Sequence, residues 1–215
     1  MTAMRVLITG FGVFPGAPRN PSADLVRALM RLRRPALSAV TRTSHVFATR
    51  YAAVDRDLPK LLAHNPDVIL LFGLAARRRG VCIETRARNA VSVLFPDAGG
   101  FRPQRGVIAR GMPEWCKGNA PFVRLLGAAR RSPSAARLSR DAGRYLCNYV
   151  YWRALAHASH DAAKQSPLVQ FVHIPAVRGT PRPRKPRRAL RQPTLADLTR
   201  TAEAILVALI AARRH

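Results

Sequence analysis

The chain has 215 residues, 48% of them hydrophobic, and sets 37 lysines and arginines against 11 acidic residues, a net charge of +26. That length and apolar content allow one generous domain with a sizeable core, and no run approaches the roughly 18 apolar residues of a membrane span. Cys82, Cys116 and Cys147 are scattered, odd in number and without a CxxC pair, which argues against a disulfide framework and a zinc site and points to a reducing, cytoplasmic setting.

Taken in chain order, "RVLITG" (Arg5 to Gly10) reads as a buried strand leading into "GFGVFPG". The glycines at 10 and 12 are not followed by a third at the dinucleotide-binding interval, where Pro15 stands, so a Rossmann phosphate loop is not expected. The loop does carry Phe11 and Phe14 to the carboxyl end of a strand, where open α/β sheets bind ligands; plugging the core is the alternative use for both. Pro21 and Ser22 open a helix, "PSADLVRALMRLRR". A second helix, "RYAAVDRDLPKLLAHN", precedes a second buried strand, "PDVILLFG" (Pro66 to Gly73).

Further along, "GRYLCNYVYWRALAHASH" reads as a helix whose His157 and His160 share a face with only Asp161 nearby, a pattern of solvated rather than metal-bound histidines. "PLVQFVHI" (Pro167 to Ile174) is a third buried strand, and "TLADLTRTAEAILVALIAARR" a closing helix with a basic end that suits the helix dipole. Between them, the prolines and like charges of Arg178 to Pro193 oppose regular structure and predict a mobile surface loop within the single domain, residues 1–215. The alternation of strands and helices implies an α/β fold with a mostly parallel sheet. The arginine blocks can attract polyanions, but they lack interleaved aromatics and any nucleic-acid-binding motif, so nucleic acid is not expected as the main partner.

A thiol nucleophile needs a base to ionise it and a third group to orient that base. Cys147 lies near a predicted helix start, where the dipole favours thiolate; His173 ends a predicted strand; Glu84 sits in "VCIETRARNA". On residue types alone, a buried packing cysteine stays open as the other reading.

The segment "SRDAGRYLCNY" (Ser139 to Tyr149) resembles the cysteine motif of the pyroglutamyl peptidase I family, the pyrrolidone-carboxylate peptidases. In the same order as in that family, "LITGFGVFPGAPRNPS" is similar to its amino-terminal stretch, "GLAARRRGVCIETRARNAVSVLFPDAGG" to its glutamate motif and following Pro-Asp, and "FVHIP" to its histidine motif. The matches span nearly the whole chain, and four ordered motifs are far more specific than any one of them.

The resemblance implies a single three-layer α/β/α domain with a central twisted, mostly parallel sheet, and a cofactor-free, metal-free cysteine peptidase acting on peptides with an N-terminal pyroglutamate. It makes Cys147 the nucleophile, His173 the general base and then acid, and Glu84 the residue that orients the imidazole, with Asp97 as rival third member. Phe11, Phe14, Tyr145, Leu146 and Leu74 would pack around the pyrrolidone ring, and the family tends toward homo-oligomers, tetramers or dimers. The chain departs from the family pattern at Thr85, at Val91 to Leu94, where an Asp-Ala-Arg run belongs, and at "AARRRG". A non-catalytic relative with an arginine-rich, polyanion-binding surface is the reading from a different class, and a hydrolase of the same fold acting on another acyl substrate is a third.

Overall fold

The computed structural model describes residues 3–14, 18–160, 166–178 and 192–214. Strand β1 (Met4–Phe11) is buried from Val6 onward, because it lies inside a sheet covered on both faces. Helix α1 (Pro21–Arg31) starts at an Asn20 cap, whose Oδ1 accepts the Ser22 N–H at 3.1 Å, with Pro21 preset for the first turn. The sequence predicted this helix to Arg34. It stops at Arg31 because Leu32 turns to extended backbone and Arg34, which precedes Pro35, is extended as well.

After a 3-10 turn at Pro35–Leu37 come β2 (Val40–Phe47), α2 (Tyr51–Leu62) and β3 (Val68–Leu74). Strand β4 (Val81–Glu84) precedes a two-stranded antiparallel ribbon of β5 (Arg86–Arg88) and β6 (Trp115–Lys117). The chain closes with α3 (Phe122–Arg130), β7 (Ala136–Ser139), α4 (Leu146–His160), β8 (Leu168–Ile174) and α5 (Leu195–Arg214).

The main sheet has the order β2-β1-β3-β8-β4-β7. It is parallel from β2 through β8, whereas β4 runs antiparallel to β8 and parallel to β7. The sheet is thus mostly parallel, as expected, with a reversed pair at one edge. Leu25 and Leu29 of α1, Leu125 of α3 and Leu206 of α5 pack on one face. Leu58 of α2 and Val150 and Leu155 of α4 pack on the other, which makes three layers. Each fully buried leucine of this kind contributes about 1.5–3 kcal/mol of transfer free energy.

Of the basic segment predicted as a loop from Arg178 to Pro193, residues 179–191 lie outside the described residues, as do Asp161 and the side chain of His160. The base of that segment is closed by a hydrogen bond from the Arg178 N–H to the Pro193 carbonyl, 3.1 Å. Among the described residues, no helix is long and apolar enough to cross a membrane.

Candidate active site

The reversal of β4 against β8 puts Cys82 opposite His173, and Gly73 of β3 pairs with His173 from the other side. Residues paired across strands face the same way, so Gly73, His173 and Cys82 form a row on the α4 face of the sheet. Glu84 lies two residues past Cys82 and projects to the same face.

Glu84 is 0% exposed and His173 5% exposed, and the imidazole Nδ1 lies 2.8 Å from Glu84 Oε1. With Nδ1 engaged by the carboxylate, Nε2 is the ring nitrogen left for proton transfer. The glutamate is locked from its backbone as well: its carbonyl accepts from the Tyr151 hydroxyl at 3.0 Å and from Gln170 Nε2 at 3.1 Å. The Phe171 ring meets the imidazole edge-on, centroids 4.8 Å apart.

Cys147 is the second residue of α4, and its Sγ lies directly over Gly73. A Cβ at position 73 would stand 2.6 Å from that sulfur and 2.8 Å from the Phe171 ring, so only glycine leaves the thiol its place. The Asn148 amide pins the helix start, accepting from the Arg88 N–H at 2.8 Å and donating to the Arg88 and Ala90 carbonyls. Burial, and secondarily the Glu84 carboxylate, push the Cys147 thiol up to about 12, with the Arg78 guanidinium and a backbone hydrogen bond pulling the other way. The helix start favours a thiolate at this position, and burial opposes it.

Asp97 is not beside the imidazole. It is 3% exposed, and it accepts the Tyr51 N–H at 3.0 Å on one oxygen and the Gly99 and Phe101 N–H groups at 2.8 and 3.0 Å on the other. Since Tyr51 is the first residue of α2, the carboxylate caps that helix and shapes the loop after it. The loop reaches Cys147's neighbour: the Tyr145 hydroxyl donates to the Pro96 carbonyl at 2.8 Å, and its ring meets that of Tyr51 edge-on.

Among the ring-pocket residues expected from the resemblance, Phe11 and Leu146 are buried in the core on the α4 face, while Phe14, Leu74 and Tyr145 are partly exposed. Ser22 Oγ accepts from the Phe11 N–H, and the Asn20 amide donates to the Gly12 carbonyl, so the "NPS" stretch fastens the aromatic loop to α1. Tyr145 also walls a cleft of about 510 Å³ that runs past Val91 to Phe95, Gly106 and Arg144. Leu94, at the departure from the family run, is 74% exposed, and its N–H reaches Ser92 Oγ at 3.3 Å.

Two site residues were missed from the sequence. Gly73 looked like an ordinary strand end, and Arg78 was hidden in the run Arg77-Arg78-Arg79, although it alone of the three bonds Glu84. Its position six residues before the glutamate, across the β3–β4 connection, was the available signal.

The model of the pyroglutamyl peptidase family matches residues 4–214. The chain is 29% identical over 175 residues to a pyrrolidone-carboxylate peptidase of Thermococcus onnurineus, covering 81% of this chain and 84% of the relative. It is 30% identical over 172 residues to one of Vibrio vulnificus, covering 80% and 78%. Among solved structures, pyroglutamyl peptidase I of Bacillus amyloliquefaciens superposes with a TM-score of 0.80 at 25% identity, covering 99% of this chain and 96% of that one. A mutant pyrrolidone carboxyl peptidase of Pyrococcus furiosus, with a TM-score of 0.84 at 22% identity, shares the fold over 98% of this chain and 100% of its own.

Proposed function

Because the chain belongs to the pyroglutamyl peptidase family, whose members are hydrolases, we propose that it cleaves the amide bond after an N-terminal pyroglutamyl residue with Cys147 as nucleophile, His173 as general base and acid, and Glu84 as the residue that orients the imidazole. The observation that carries the reading is the 2.8 Å contact between Glu84 Oε1 and His173 Nδ1, in a row with the glycine over which the Cys147 sulfur sits.

In this mechanism His173 Nε2 takes the thiol proton as sulfur attacks the pyroglutamyl carbonyl. The oxyanion of the tetrahedral intermediate meets backbone N–H groups of the first turn of α4, which a helix leaves without intrahelical partners. Collapse breaks the C–N bond, the imidazolium protonates the departing amine, and a thioester remains on Cys147. Water, deprotonated by His173, then attacks that thioester and releases pyroglutamate and the free thiol. Because burial opposes the free thiolate, ionisation of Cys147 and its attack are coupled through His173.

The pyrrolidone ring is uncharged, so partly exposed apolar walls from Phe14, Leu74 and Tyr145 suit it. A peptide with a free amino terminus is disfavoured because its ammonium would lose water without gaining a partner. The peptide beyond the ring leaves through the cleft beside Tyr145.

Hydrolysis of a chromogenic pyroglutamyl amide tests the assignment. Cys147→Ala is expected to lower kcat by at least roughly a thousandfold with the fold retained, whereas Cys82→Ala and Cys116→Ala keep most activity. Full activity in the Cys147→Ala protein would overturn the nucleophile.

A further inference from the structure

We propose that Arg78 is a positioning residue of this site, whose guanidinium holds the buried Glu84 side chain in place beside His173 and ties it to the turn that carries the nucleophile. The role rests on the Cys147–His173–Glu84 reading. Glu84 is completely buried, and both of its side-chain partners, His173 Nδ1 and Arg78 Nη1, converge on Oε1. Its Oε2 is buried with no hydrogen bond among the described residues. A carboxylate so removed from water is costly to ionise unless a cation stays beside it. His173 cannot supply that charge throughout, because it has to be neutral to accept the thiol proton. Arg78 is charged at every stage of the cycle.

The same guanidinium reaches further. It donates to Ser139 Oγ at 3.1 Å and, through Nη2, to the Asp141 carbonyl. Ser139 ends β7, and Asp141 lies in the turn before α4, which begins one residue ahead of Cys147. Arg78 itself stands on the β3–β4 connection. One planar fork therefore links the strand that bears Glu84 to the turn that presents the thiol, a geometry a lysine ammonium cannot reproduce.

The charge matters at the sulfur too. The charged groups acting on Cys147 are Glu84 and Arg78, with Tyr51 and Tyr145 beyond them, Asp97 behind the tyrosines and Cys82 beside Arg78, while His173 stands next to the glycine over which the sulfur sits. Burial first, and nearby negative charge next, push both tyrosine hydroxyls up, so they stay neutral at ordinary pH. Without Arg78 and with His173 neutral, the thiol would face the Glu84 charge unopposed.

The test is the pH profile of Cys147 alkylation by iodoacetamide, read by mass spectrometry at that residue, together with kcat and KM. In Arg78→Met the rate of Cys147 alkylation at fixed pH should fall about tenfold, while kcat falls at least tenfold and KM stays within about threefold. Arg78→Lys should hold the alkylation profile near that of the wild type, because charge is kept, and still lose kcat, because the fork is not. An unshifted profile in folded Arg78→Met would reduce the residue to a structural tie and overturn the proposal. Should Arg78→Met lack a cooperative thermal transition, the lysine variant decides, since wild-type kcat there overturns it equally. A wild-type protein without pyroglutamyl amidase activity would defeat the peptidase reading itself, whereas the alkylation arm still reports on Arg78.

Discussion

Glu84 and Asp97 are both buried carboxylates, at 0% and 3% exposure, and they are satisfied in opposite ways. Asp97 takes three backbone N–H groups from a helix start and the loop it shapes, donors that cannot move without unfolding that loop. Among the described residues, the Glu84 carboxylate is met by two side chains, a permanently charged guanidinium and an imidazole that gains and loses a proton. A carboxylate bound by fixed backbone donors stabilises a shape, and one bound by a titratable imidazole can respond to that imidazole's charge. Acidic character and burial do not separate the two roles; the partners do.

The largest break in this comparison comes from removing each charge in turn. Glu84→Gln should lower kcat by about 10²–10⁴-fold, since an amide in place of the carboxylate can hold the wrong imidazole tautomer. Asp97→Asn should act the other way, lowering stability by about 1–3 kcal/mol while kcat stays within roughly tenfold. Thermal melts and steady-state kinetics on both proteins check the pair. A greater kcat loss in Asp97→Asn than in Glu84→Gln would exchange their roles.

A smaller effect sharpens the same corner. Gly73→Ala adds a methyl where the Cys147 sulfur and the Phe171 ring already stand, and something has to shift. An overpacking cost of about 1–3 kcal/mol is expected, with a roughly tenfold fall in kcat from a displaced thiol. Wild-type kcat in a folded Gly73→Ala protein would show that the thiol tolerates movement and that its seat over the glycine is not used.

Most of the frame was legible in the sequence. The long apolar runs at β1, β3 and β8 lie in the middle of the sheet, where both faces are covered, and the helices α1, α2, α4 and α5 kept their places with ends shifted by up to three residues. What escaped were the polar or short elements. Strand β2, "VTRTSHVF", is an edge strand with no apolar run, and β4, "VCIE", and β7, "ARLS", have four residues each. Helix α3 was also passed over.

The site divides along the same line. Cys147, His173 and Glu84 were named through family resemblance, because strand reversal, which brings Glu84 beside His173, leaves no periodic trace. Asp97 could not be told from Glu84 by residue type, and Arg78 was one basic residue among 37. Composition had made the functional arginine inconspicuous.

The central claim, that Cys147 attacks a pyroglutamyl carbonyl, is tested most directly by an affinity label. The protein is incubated with a pyroglutamyl chloromethyl ketone, in which a thiolate displaces chloride to form a thioether, and the modified residue is located by mass spectrometry. The expected result is a single adduct on Cys147, formed in proportion to loss of amidase activity, slowed by free pyroglutamate and absent from Cys82 and Cys116. Inactivation with Cys147 unmodified, or labelling of another cysteine in step with the loss of activity, would contradict it.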